Sequence, residues 1–152
     1  MKTLSFNAND IIFNQGDFSD VMYNIVKGKV GVYGAYGTEN KKEYAQLGAN
    51  EFLGEMGMIE VFPRSATAVA LEDGTELEEI GEAELSEYFR DKPDKLLKIM
   101  RQISARLRET NTKYLNACRV VYENAEAERN GTEKSEWLET QLEIICNEYS
   151  AM

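Results

Sequence analysis

Three groups that could hold a phosphorylated sugar stand close together in the 52–67 segment. Gly54-Glu55 opens a short run with a helical pattern, and the backbone N–H groups at the start of a helix form an anion site. Arg64 follows, with a planar guanidinium that suits a phosphate. The ionised carboxylate of Glu55 only accepts hydrogen bonds, so it suits a sugar hydroxyl. These residue types at this spacing predict a site for a phosphorylated ribose.

Each of these residues also has an ordinary structural interpretation. Arg64 could form a surface salt bridge, Glu55 could be a solvated helix charge, and Gly54 could simply complete a turn. Their occurrence together, inside a region of β pattern, favours the site. Met56 and Met58 between them are interpreted as core-filling residues.

The composition narrows the function classes. The 152 residues are 43% hydrophobic and carry a formal net charge of −10, which suits one domain with a real core. The acidic balance argues against duplex DNA and against an anionic membrane surface as partners. Histidine is absent, so a metal would need carboxylates alone, and no acidic cluster has suitable spacing. We therefore expect no enzyme activity, no metal and no cofactor.

The termini and the cysteines indicate a cytoplasmic protein. The first residues show no signal-peptide pattern, and no stretch approaches the ~18 apolar residues of a membrane span. The two cysteines, Cys118 and Cys146, lie in helix-like segments and have no metal spacing. They are expected to be buried free thiols in a reducing compartment.

Short strand-like runs at even spacing fill the chain from Ile11 to about Ile80. This pattern predicts a small β-barrel or jelly roll, because closing the sheet removes exposed edges. Gly31 and Gly34 inside one run suggest a bulge or a close backbone approach. Asp73-Gly74 has the composition of a hairpin turn.

The remainder of the chain is predicted to be helical. A long helix is expected from Pro93 to about residue 126, and a second, acidic and amphipathic helix over 132–152, with Gly131 as C-cap and Thr132 as N-cap. Apolar or small residues recur along the long helix in steps of three and four, as in a coiled coil. We call these residues the seam: Met100, Ile103, Leu107, Thr110, Tyr114, Ala117 and Val121. About 32 helical residues would run about 48 Å, too far to lie wholly on a small barrel, so the seam predicts a homodimer.

The chain from Ile11 to about Tyr114 also resembles a known family. The residues on which this resemblance rests are Gly16-Asp17, Ser19-Asp20, Met22-Tyr23, Ile25, Gly28, Val30, Leu47-Gly48, Phe52, Gly54-Glu55, Pro63-Arg64-Ser65-Ala66 and the helix 103–116. With them the chain resembles the cyclic-nucleotide-binding domain family, and within it the sensor domains of catabolite activators. The resemblance implies a double-stranded β-helix over residues 1–92 and a long helix over 93–126 that completes the site.

The resemblance assigns roles residue by residue. It implies that Glu55 binds the ribose 2′-hydroxyl and that Arg64 binds the cyclic phosphate. Ser65 would add a hydroxyl and an N–H to the phosphate, and the backbone at Gly54 would approach the ligand closely. Thr110-Asn111 falls where the long helix of the activators contacts the base. Asn111 replaces a serine there, and both polar residues could instead set helix register or face solvent.

The DNA-binding domain that follows the long helix in the activators is not part of this sequence. The resemblance therefore implies a stand-alone sensor of cyclic AMP, with cyclic GMP as the alternative ligand, that acts through an unknown protein partner or a changed dimer. An interpretation from a different class is a ligand-free dimeric interaction module that keeps the barrel fold. In the sensor, losing Arg64 is expected to cost more than losing Glu55, because the carboxylate and the phosphate would then face each other uncompensated.

Overall fold

The computed structural model describes residues 2–149, which divide into two compact units between Arg101 and Gln102. The first unit holds two antiparallel sheets of four strands each. One sheet has the order β1 (Lys2–Phe6), β8 (Thr75–Gly81), β3 (Val21–Lys27) and β6 (Phe52–Leu53). The other has the order β2 (Ile11–Phe13), β7 (Thr67–Ala70), β4 (Val30–Gly34) and β5 (Lys42–Leu47). The mainly β architecture is confirmed, but among the described residues the strands form two sheets and no closed barrel.

Two features of the sheets differ from the sequence predictions. Strand β1 was not predicted, and it pairs along its whole length with β8, from Lys2 opposite Glu79 to Phe6 opposite Thr75. The Asp73-Gly74 turn was predicted as a hairpin, and that prediction is wrong. Gly74 does have a positive φ of 69°, but the turn joins β7 to β8, which belong to different sheets.

The two glycines of β4 are explained by tyrosine side chains. A register shift between Val32 and Tyr33 marks the expected irregularity in the pairing of β4 with β5. A Cβ on Gly31 would lie 2.5 Å from the ring and hydroxyl of Tyr33, and one on Gly34 would collide with the hydroxyl of Tyr44. Both glycines therefore make room for an aromatic ring.

Two apolar clusters hold the first unit together. The first lies among the strands and includes Tyr23, Ile25, Leu53 and Leu77. The second joins strand residues to the helices that follow β8, and it comprises Met22, Phe52, Met58, Ile80, Tyr88 and Ile99. Through it, α2 (Glu82–Asp91) and the first turns of α3 (Pro93–Asn130) belong to the same core as the sheet.

The second unit consists of the remainder of α3 and of α4 (Glu136–Tyr149). Among the residues of this unit whose burial is described, Val120 and Leu138 are the buried apolar ones, and the guanidinium of Arg119 lies 5.2 Å from the ring centre of Trp137. Helix α3 ends at Asn130, about a turn beyond the predicted end, and Gly131 follows with a φ of 63°, as a C-cap requires.

Several details of this unit correct the predictions. Thr132 does not cap the following helix: its hydroxyl donates to the carbonyl of Ala127, and Ser135 accepts the N–H of Leu138 as the N-cap of α4. Cys118 and Cys146 are free but exposed rather than buried. Residues 150–152 of the predicted last helix lie outside the described residues. None of the helices within residues 2–149 combines the length and apolar character needed to cross a membrane.

A carboxylate network anchors the helices of the first unit to the sheet. Glu78 on β8 accepts hydrogen bonds from the Tyr88 hydroxyl at 2.8 Å and the Lys92 ammonium at 2.9 Å, and the Asn24 amide lies at 3.3 Å. Burial alone would raise the pKa of Glu78, but the hydrogen bonds from Lys92 and Tyr88 hold it below its ordinary value of 4.5. The ionised form of Glu78 is therefore the one that the fold stabilises.

We expect Glu78→Gln to lower the free energy of unfolding by about 1–3 kcal/mol at pH 7, the usual effect for a hydrogen-bonded charge. Because the folded pKa lies below the unfolded one, this contribution is complete above about pH 4.5 and is lost as the pH falls through the folded pKa. Urea unfolding from pH 7 to 3.5 measures it. Glu76→Gln on the same strand is the control, and a difference between the two variants that does not shrink in acid would contradict the assignment.

Candidate functional site

The 52–67 segment leaves one sheet, forms a single short helix and enters the other sheet. Phe52 and Leu53 are buried and pair with Asn24 and Tyr23 of β3, which fixes the start of the segment. Gly54 has a φ of 79° and serves as the N-cap of α1 (Glu55–Glu60), without a side-chain cap. Only glycine adopts this conformation easily, so the sequence places the sharp entry to the helix here. Gly54 supplies no side-chain cap for the N–H groups of the first turn, the groups that a helix start usually has capped.

Arg64 lies at the centre of this segment, and its side chain is only 3% exposed. Its Nη1 donates to the carbonyl of Gly54 and its Nη2 donates to the carbonyl of Val21, each at 2.5 Å. Its guanidinium also lies over the ring of Phe13, 4.5 Å from the ring centre. The Arg64 side chain therefore links the start of α1 to two strands, β2 and β3.

The backbone of Arg64 is fixed as firmly as its side chain. Its N–H donates to the carbonyl of Asp17 at 2.8 Å, and its carbonyl accepts the N–H of Gly16 at 2.9 Å. The β2–β3 connection that contains Gly16-Asp17 thus positions the arginine. The residue types suit this connection, since Gly16 has a φ of 89° and the Asp17 carboxylate accepts the N–H of Asn14 at 2.9 Å.

The Arg64 guanidinium is desolvated and, within the described part of the chain, has one donor without an acceptor. Burial lowers the pKa of the Arg64 guanidinium, and Tyr23 and the carboxylates of Glu55, Asp17 and Asp20 act in the opposite direction. Among the described residues no acceptor reaches the buried Nε of Arg64. A buried donor without an acceptor is rare and costly, and an anion beside it would satisfy the Nε–H and offset the desolvation of the charge.

The structure brings four of the predicted site residues together. Glu55 is 1% exposed at the first position of α1, Gly54 contacts Arg64 directly, and Ser65 follows Arg64 with an exposed side chain. The site thus combines a buried cation, helix N–H groups, a buried carboxylate and an exposed hydroxyl. Their assignment to a ligand stays a prediction.

Thr110 and Asn111 belong to the second unit, where both side chains are exposed on α3. Their predicted contact with a base stays a prediction.

The sequence reasoning missed the residues that position Arg64. Val21 contributes only a carbonyl, which leaves no signature in the sequence. Phe13 stands at the end of a short apolar run, where a core role is the ordinary interpretation. The aromatic ring beside a buried arginine becomes recognisable only after β2 and β7 are paired, with Phe13 opposite Ala68.

The family model of the cyclic nucleotide-binding domain matches residues 3–92. The chain belongs to this family. The matched region contains both sheets and the whole 52–67 segment, so the cyclic nucleotide-binding domain coincides with the part of the first unit that ends at α2.

Known proteins with the same domain support the membership. The cyclic AMP receptor protein of Thermus thermophilus is 41% identical over 66 residues, which are 43% of this chain and 30% of that protein. The solved structure of the Thermus thermophilus catabolite activator protein superposes with a TM-score of 0.66 at 28% identity, over 86% of this chain and 63% of that one. The chain thus spans about a third of one relative and under two thirds of the other.

The domain also occurs in an enzyme. The EAL enzyme Bd1971 has been solved with cyclic AMP and with cyclic GMP bound, and both forms are 31% identical to this chain. They superpose with a TM-score of 0.53, over 85% and 86% of this chain and 33% and 34% of theirs. The cyclic nucleotide-binding domain is therefore found both in regulators and beside enzyme domains.

The geometry predicts that Gly54 limits where Arg64 can lie. An alanine Cβ at Gly54 would collide with Nη1 of Arg64, in addition to the roughly 1–2 kcal/mol cost of a left-handed backbone conformation. Gly37 has nearly the same φ, 82° against 79°, but a Cβ there meets nothing within 4 Å. We expect Gly54→Ala to lower the free energy of unfolding more than Gly37→Ala does, as measured by urea unfolding. Equal losses of unfolding free energy in the two variants would show that the Arg64 side chain moves aside freely.

Proposed function

We propose that this chain is the ligand-binding part of a cytosolic sensor and that it binds cyclic AMP, with cyclic GMP as the alternative, at the 52–67 segment. The observation that carries the proposal is the unpaired Nε–H of buried Arg64 beside the uncapped start of α1. Membership of the cyclic nucleotide-binding domain family and the nucleotides bound by Bd1971 support it.

The chemistry of the ligand fits the groups present. The cyclic phosphate carries one negative charge, which the Arg64 guanidinium and the α1 N–H groups would bind together with the Ser65 hydroxyl. Glu55 would accept a hydrogen bond from the ribose 2′-hydroxyl. Its own negative charge is tolerable close to the phosphate because the positive charge of Arg64 compensates both anions. Thr110 and Asn111 remain the proposed base contacts.

Calorimetric titration with cyclic AMP and cyclic GMP tests the proposal. We expect saturable binding, and a gain of about 2.7 kcal/mol in unfolding free energy at a ligand concentration about a hundred times the dissociation constant. Glu55→Gln weakens binding about tenfold, the effect of one hydrogen bond to a charged acceptor. Ser65→Ala weakens it less, and Arg64→Lys weakens it most, because lysine lacks the planar fork.

The control for these variants is Ser86→Ala. Ser86 is an exposed serine on α2, and we expect its replacement to leave the affinity for the nucleotide unchanged. Urea unfolding of Arg64→Lys separates loss of affinity from loss of structure. Absence of heat and of thermal shift with both nucleotides at millimolar concentration would refute the proposal.

A second candidate function is a ligand-free interaction module. It is favoured by the structural role of Arg64, since both Nη atoms are already engaged by backbone carbonyls. In this case Ser65→Ala and Glu55→Gln leave every measured property of the protein unchanged except its stability. The nucleotide titration therefore decides between the two candidates.

The proposed assembly is a homodimer through the seam. Seam residues Met100, Leu107, Tyr114 and Val121 are each more than half exposed in the single chain. Large apolar side chains repeated along one helix at coiled-coil spacing are stabilised when a second helix covers them. The output of the sensor would then pass through the dimer or through a protein partner.

We expect Leu107→Ser to shift the chain from dimer to monomer. Leu115 provides a matched control, since it lies on the same helix with a similar exposure, 66% against 59% for Leu107, but outside the seam. Sedimentation equilibrium over a range of protein concentrations measures both variants. A monomeric parent chain, or equal dissociation by Leu115→Ser, would contradict the seam as the interface.

A further inference from the structure

The outer side of the 52–67 segment carries an apolar groove that nucleotide binding does not explain. The groove has a volume of about 300 Å³, and the residues that line it include Phe18, Asp20, Met58, Val61, Phe62 and Glu82. All six belong to the first unit. Phe18, Val61 and Phe62 are among the most exposed large apolar side chains of the described residues, at 74%, 79% and 67%.

The backbone conformation that directs Val61 and Phe62 outward is strained. Val61 ends α1 with φ 53° and ψ 45°, a left-handed conformation that is an outlier for a β-branched residue. Such a conformation costs of order 1–3 kcal/mol and persists only where the surroundings impose it. Here the N–H of Phe62 donates to the carbonyl of Gly57 at 3.1 Å, which closes the turn. The turn presents Val61 and Phe62 to solvent.

The acidic residues around the groove favour a positively charged partner. Asp20 and Glu82 line the groove, Asp17 precedes Phe18 and Glu60 precedes Val61, whereas the groove lining contains no lysine or arginine. An acidic rim repels an anionic membrane and also the acidic helix α4 of another copy. It attracts a segment with apolar anchors and flanking positive charges.

We propose that this groove binds a basic amphipathic protein segment, with apolar side chains inserted beside Val61 and Phe62 and its lysines or arginines paired with Asp20 and Glu82. Helical segments bind such grooves through apolar residues spaced by three or four positions. The proposal does not depend on nucleotide binding, because none of the side chains proposed to bind the nucleotide lines the groove.

The probe is a fluorescent amphipathic helix of leucine and lysine, compared with the same helix carrying glutamate in place of lysine. Fluorescence anisotropy is expected to show saturable binding of the basic helix only.

Val61→Gly removes the side chain while keeping the backbone, since glycine accepts this conformation without strain, and it is expected to weaken binding about tenfold. Phe62→Ser is expected to act similarly. Val26→Ser, at a valine 47% exposed on β3, is the control and leaves binding unchanged.

Several results would overturn the proposal. Equal binding of the two helices, or equal affinity of Val61→Gly and the parent chain, would show that the groove does not select a basic segment. Self-association that Val61→Gly abolishes would identify a second copy as the occupant. Flotation with phosphatidylserine vesicles that Phe62→Ser abolishes would identify a membrane. Nucleotide titration of the same variants keeps this proposal separate from the ligand-binding one.

Discussion

The buried guanidinium of Arg64 is the interaction on which the 52–67 segment depends. Taking a cation out of water is costly, and the fold compensates it with the carbonyls of Gly54 and Val21, the ring of Phe13 and nearby carboxylates. A Cβ at position 54 would collide with Nη1 of Arg64, so glycine at this position leaves room for the guanidinium. The glycine and the arginine lie ten residues apart in sequence, and the position of each therefore depends on the other.

This arrangement couples local stability to any anion that binds. Arg64 already joins α1 to β2 and β3, so a phosphate on its remaining donors would tighten contacts that exist without it. Binding would then raise the free energy of local opening more than it changes the folded conformation. In the proposed complex the cation and the helix N-terminus would already be in place, and the ligand would supply an acceptor for the Nε–H of Arg64.

The sequence predicted the parts of this protein that depend on local geometry. The short helix that begins after Gly54 and the spacing of Arg64 from it are read directly from residue types. Pairing between distant strands is not, which is why β1 was missed and why the Asp73-Gly74 turn was assigned to a hairpin. A turn sequence specifies φ and ψ, whereas the choice of sheet depends on burial across the whole core. The contact of Phe13 with Arg64 has the same long-range origin.

The two sides of α1 are connected through Gly57. A Cβ at Gly57 would lie 2.9 Å from the carbonyl of Phe62 and 3.5 Å from Nη1 of Arg64, so this one glycine separates the arginine from the outer turn. Val61 keeps its left-handed conformation because the surrounding packing imposes it, so this turn is part of the fixed structure rather than a loose end. Glycine at position 57 therefore allows the polar side of the 52–67 segment, at Arg64, and its apolar side, at Phe62, to pack within a single turn of helix.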